Sequence, residues 1–107
     1  TTAPRLAQTR PAPDLLARYW DQLVDALRVV AAMGLTHGDL SAFNVLVHAG
    51  RLVLIDLPQI IDVIANPRGA QFIARDVRNI ASWFAARGLE VDAGALVERL
   101  CAEAGLR

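Results

Sequence analysis

His37-Gly38-Asp39-Leu40-Ser41-Ala42-Phe43-Asn44, followed twelve residues after Asn44 by Asp56, is where this chain of 107 residues concentrates its chemistry. An acid beside an incoming hydroxyl can orient it and accept its proton. An amide and a second acid can hold the metal ions that neutralise nucleotide phosphates. Asp39 follows a glycine in a break between a helix pattern and a strand pattern, where a carboxylate can be presented in a fixed backbone setting. Asn44 comes five residues later, close enough for a curled loop to bring both side chains to one place. The amide oxygen of Asn44 and the carboxylate of Asp56 are hard ligands of the kind magnesium prefers.

Working outward, Leu16, Tyr19, Trp20, Leu23, Leu27 and Val30 recur at three- and four-residue steps and predict one buried helical face. Pro13 suits the first position of that helix, with Asp14 in its first turn, and Gly34 supplies the stop. Residues 1–13, with Pro4, Pro11 and Pro13, are expected to be an extended leader. After the motif, Val45–Val47 and Leu52–Ile55 flank Ala49-Gly50 and predict a hairpin whose second strand ends at Asp56. Pro58, Asn66, Pro67 and Gly69 mark the next stretch mostly as loop. A second helix is expected from about Ala70 to Arg87, with Ile73, Val77, Ile80 and Phe84 on one face and Gly88 as stop. A third starts at Asp92 as N-cap and turns Leu96, Val97, Leu100 and Cys101 inward. The fold class is therefore α+β and mostly helical, with a small β-hairpin carrying the polar residues.

Composition sets the bounds. An apolar fraction of 54% suits a packed domain, and eleven basic residues balance eleven acidic ones, so no overall field recruits nucleic acid or an acidic membrane. All eleven basic residues are arginine, as expected of a composition rich in alanine, arginine, leucine and valine. The single cysteine, Cys101, has no internal partner and fits a buried thiol in a reducing cytoplasm. No apolar run reaches the length of a membrane span, and no Cys/His cluster has zinc spacing.

Single residues carry alternatives. His37 is either a proton-transfer group or a packed ring hydrogen-bonded to backbone beneath the loop, and the second is preferred. Ser41 either touches a transferred phosphate or caps its own loop. His48, beside the hairpin turn, is expected at the surface.

Three spaced motifs resemble the RIO family of atypical protein kinases: His37-Gly38-Asp39-Leu40-Ser41-x-x-Asn44-Val45-Leu46-Val47, Ile55-Asp56-Leu57-Pro58-Gln59 and Arg75-Asp76-Val77-Arg78-Asn79-Ile80. Gly38 stands where most protein kinases have arginine, and Leu57-Pro58 where they have Phe-Gly; both are RIO-like. The resemblance implies a protein-kinase-like C-terminal lobe over residues 14–107, with Ala3-Pro4-Arg5-Leu6 similar to the segment just after the interlobe hinge. It implies ATP with Mg2+, or Mn2+, as cofactors. Asp39 would be the catalytic-loop acid and Ser41, Asn44 and Asp56 the cofactor-binding residues, with Asn44 and Asp56 on the metal. Asp56 would also match the acid thought to accept phosphate in some members, which makes them partly ATPases. Asp76 would hold the catalytic loop's backbone amides from below, and His37 would support the loop. Ala42 and Phe43 depart from the family's usual Glu and Tyr.

The same resemblance marks what is not here. Kinases of this kind carry a smaller lobe with a phosphate-covering loop and a lysine, and this chain has no lysine. The missing lobe is expected ahead of Thr1, on the same or a separate chain, and the 107 residues alone are expected to transfer phosphate negligibly. A protein or ribonucleoprotein substrate is implied, without a direct nucleic-acid signature. Two alternatives compete: a small-molecule phosphotransferase of the aminoglycoside or choline kinase type, and a non-catalytic kinase-like scaffold.

Overall fold

The chain, seen in a computed structural model, is described over residues 3–55 and 60–106. Helix α1 spans Pro13–Ala32, with Pro13 at its first turn, where the missing N–H costs no hydrogen bond. Its buried face is Leu16, Tyr19, Leu23, Leu27 and Ala31, while Trp20 and Val30, expected inside, are half-buried at its margins. The chain leaves α1 through Gly34, whose φ of 78° is costly for any residue with a Cβ.

A two-residue strand β1, Leu35–Thr36, follows and runs into the polar motif. Strands β2 (Val45–His48) and β3 (Arg51–Leu54) pair antiparallel, Val45 opposite Leu54 and His48 opposite Arg51. Ala49 and Gly50 turn between them at φ values of 52° and 78°, both left-handed, as the right-handed twist of a two-residue hairpin demands. His48 is exposed.

The stretch beyond the hairpin differs from expectation. It contains β4, Ile61–Asp62, which pairs antiparallel with β1 in the register Leu35–Asp62 and Thr36–Ile61. Two residues are too few to show a period of two, so only the partner strand reveals them.

Helix α2 spans Gly69–Ala86 and buries Ile73, Asp76, Val77, Ile80, Ala81 and Phe84. Phe84 is wholly buried and meets Trp20 and Trp83 edge-to-face at 5.1 Å each. Gly69 is required by a close approach: a Cβ there would run into the Val63 carbonyl oxygen. Helix α3, Ala93–Glu103, opens with Asp92 accepting the Ala95 N–H at 2.9 Å. Arg28 on α1 pairs with Glu103 on α3 at 2.8 Å. Cys101 is half-buried, and burial pushes its thiol pKa up.

Ahead of α1 the backbone is extended on both sides of a single 3-10 turn, Leu6–Gln8. Leu6 is completely buried, Arg5 bridges to Leu46, and the Val47 N–H donates to the Pro4 carbonyl at 2.9 Å. The segment thereby docks against β2. Among the described residues, no helix is long and apolar enough to cross a membrane.

Candidate active site

Strand β1 delivers Thr36 to the floor of the motif, and Asp76 rises to meet it from the second turn of α2. Asp76 is 1% exposed. One of its carboxylate oxygens accepts the Thr36 hydroxyl and the Gly38 N–H, each at 2.7 Å, and the other accepts the Leu40 N–H at 3.0 Å. A buried carboxylate needs donors in place of water, and three donors meet that need here. Gly38 reaches this arrangement at φ 93°, which explains a glycine at the position. With the amides on either side of Asp39 turned inward, its own side chain is turned out and is 64% exposed.

Arg75, the neighbour of Asp76 on α2, lies beside the outward carboxylate. Its guanidinium is 3.8 Å from Asp39 Oδ1 and donates to the Gly38 carbonyl at 3.3 Å. Adjacent helical residues point about 100° apart, so the buried Asp76 leaves its neighbour Arg75 toward solvent, and the sequence carries no signal for the contact with Asp39. Thr36 carries no sequence signal either, because a lone threonine in a two-residue strand shows no pattern.

His37 is 2% exposed and works under the loop. Its Nδ1 accepts the Asp39 N–H at 3.2 Å, so its Nε2–H donates to the Ile55 carbonyl, which fixes the tautomer. The Ile55 N–H donates to the Asn44 carbonyl at 2.8 Å. Ile55 is therefore gripped on both sides, by His37 and by Asn44. Asp56, the next residue and an expected metal ligand, lies outside the described residues.

Ser41 caps the 3-10 turn Ala42–Asn44 by accepting the Phe43 N–H at 3.2 Å, and its hydroxyl donates to Asn44 Oδ1 at 2.9 Å. Of its two expected roles, the loop-capping geometry is the one seen. Asn44 is 7% exposed, with its amide oxygen oriented by Ser41. That oxygen is a hard donor suited to magnesium, which fits the divalent ion that the motif implies. Among the described residues, no group of three or more His, Cys, Asp or Glu side chains could hold a metal by itself.

Comparison with known proteins gives this geometry a family. The RIO domain model matches residues 1–96. The RIO-type serine/threonine-protein kinase Rio1 of Haloferax volcanii is 39% identical over 79 residues, which is 74% of this chain and 27% of that protein. Its namesake in Thermoplasma acidophilum is 36% identical over 87 residues, covering 77% of this chain and 46% of that one. The chain thus spans less than half the length of these curated relatives. The crystal structure of a Chaetomium thermophilum Rio2 kinase-ADP/Mg2+-phosphoaspartate complex superposes with a TM-score of 0.70 at 23% identity. The match covers 96% of this chain and 37% of that one, and it shows the shared protein-kinase-like fold. With three motifs in order, a clamped loop beneath an outward acid, and a family match across nearly its whole length, this chain belongs to the RIO kinase family.

Proposed function

We propose that these residues form the acid-and-metal half of a phosphoryl-transfer site, the C-terminal lobe portion of a RIO-type, ATP- and Mg-dependent serine kinase or ATPase. The observation that carries this is the buried Asp76 carboxylate, which takes the Gly38 and Leu40 amides and leaves Asp39 facing outward. Preorganised geometry of this sort is what a reaction with little covalent protein chemistry needs.

In this reading Asp39 orients the acceptor hydroxyl and takes its proton. Asn44 and Asp56 hold the divalent ion, which supplies charge neutralisation at the phosphates when bound. Ser41 keeps the Asn44 oxygen aimed, and His37 ties the Asp39 loop to the strand end ahead of Asp56. Asp56 is also the candidate phosphate acceptor, by analogy with the phosphoaspartate in the Rio2 complex. Turnover requires a second lobe to grip the phosphates, because no lysine is available in these residues. A cytoplasmic setting belongs to the same proposal and is supported by the lone, half-buried Cys101. The RIO match disfavours the small-molecule phosphotransferase alternative.

Calorimetric titration with ATP, with and without magnesium, tests the reading. Metal-dependent binding that Asp56→Ala abolishes is the expected result. Its absence would instead favour a non-catalytic scaffold. Joined to a phosphate-gripping lobe, Asp39→Ala is expected to cut transfer by about a hundredfold or more while nucleotide binding persists.

A further inference from the structure

Charge is not evenly spread over this chain. It holds eleven arginines against eleven acids, yet α2 and its two flanking residues carry Arg68, Arg75, Arg78 and Arg87 against a single acid, the buried Asp76. Arg68, Arg75 and Arg78 fall at seven- and three-residue intervals and so share one side of the helix. All three are exposed, and with Gln71, Phe72 and Ala74 they line a shallow groove of about 420 Å3. Among the described residues, neither Arg68 nor Arg78 has a carboxylate within ion-pair distance, and Arg75 has only Asp39, at 3.8 Å.

Asp39, the acid that would receive the acceptor hydroxyl, therefore stands beside Arg75, between the two ends of the stripe. From Arg68 to Arg78 it runs about 15 Å along the helix, the reach of about four or five extended peptide residues. Guanidinium forks match carboxylates in pairs. A nucleic-acid strand fits less well, because stacking needs open aromatic platforms and the groove offers a single ring, the half-buried Phe72, with Arg75 5.9 Å from its centre.

We propose that this arginine stripe is the docking surface for an acidic peptide segment, which holds carboxylates against Arg68 and Arg78 while its hydroxyl reaches Asp39. The inference names a substrate class and rests on the phosphoryl-transfer reading of Asp39. Docking itself involves no nucleotide, so it is measured separately from that reading.

The test uses the 107-residue chain and a fluorescein-labelled peptide in which a serine is followed by a run of aspartates and glutamates. Anisotropy is read against an amide-substituted peptide of the same length and an oligouridylate of the same charge. The acidic peptide is expected to bind, to weaken with added salt, and to weaken about five- to tenfold with the double variant Arg68→Gln/Arg78→Gln. The amide-substituted peptide is expected not to bind. Arg78→Lys, which keeps the charge but loses the planar fork, is expected to weaken binding less than Arg78→Gln does, and circular dichroism of each variant checks the fold. No binding of the acidic peptide, equal binding by the double variant, or tighter binding of the oligouridylate would each overturn the proposal. Magnesium-ATP titration on the same samples separates the two claims. A parent that binds peptide but no nucleotide counts against the phosphoryl-transfer reading and leaves the docking surface standing.

Discussion

Among the described residues, Tyr19 and the tryptophans aside, the buried polar side chains belong to one region: Thr36, His37 and Asn44 along the motif, and Asp76 directly beneath it. The helical base is the opposite. Leu16, Leu23, Leu27, Ile73, Ile80, Phe84, Leu96 and Leu100 are buried there with almost no directional contacts. Apolar burial has no preferred angle and tolerates repacking, so it sets compactness more than atomic position. Hydrogen bonds to a carboxylate have a length and a direction, so the Asp76 cluster sets where Asp39 stands. The base provides stability and the loop provides accuracy.

Breaking the base alone is the largest expected effect. Phe84→Ala removes a wholly buried ring between two tryptophans and is expected to cost about 3–5 kcal/mol in urea unfolding. A loss under about 1 kcal/mol would show that the base does not depend on it. Breaking the loop alone comes next. Asp76→Asn puts an NH2 where a carboxylate oxygen now accepts, and is expected to cost about 2–3 kcal/mol. Its signature is local: faster hydrogen exchange at Gly38 and Leu40 than along α1. Uniform exchange in that variant would contradict the division of labour.

The junction of the two regions is tested by Gly69→Ala, which drives a methyl group toward the Val63 carbonyl at the end of β4. A thermal scan is expected to show a loss of about 1–3 kcal/mol. Wild-type stability would mean that β4 and α2 separate freely. Smaller still is Trp83→Phe. The Trp83 Nε1 is buried without a partner among the described residues, so removing it while keeping a ring is expected to be neutral or stabilising by up to about 1 kcal/mol. A clear loss of stability would reveal a partner for that N–H.

The smallest effect is a pH dependence from Cys101. Burial raises its folded pKa, so the unfolded chain loses the thiol proton first. The stability this contributes is full below the ordinary thiol pKa and is lost as pH climbs through the folded value. Cys101→Ser is expected to flatten that alkaline decline in urea midpoints.

Much of the base was legible in the sequence because helices repeat. The three-and-four spacing of Leu16 through Leu27 placed α1, and Ile73 through Phe84 placed α2 to within a residue at each end. Asp92 announced α3, and Ala49-Gly50 announced the hairpin turn. The candidate site was legible as a set of residue types. His37, Asp39, Ser41, Asn44 and Asp76 do gather around one loop, while Asp56 lies outside the described residues.

Contacts between distant segments were not legible. Strand β4 exists because Leu35 and Thr36 offer it a partner, and no two-residue run can advertise that. Arg75 reaches Asp39 across thirty-five intervening positions, and Leu6 is buried only because the chain ahead of α1 folds back onto β2. Local periodicity and turn chemistry are encoded in neighbouring residues, so the order of elements and the chemical inventory of the loop could be read directly. Which amides face Asp76, which cation stands beside Asp39 and which strand pairs with β1 depend on three-dimensional packing, and only the folded chain decides them.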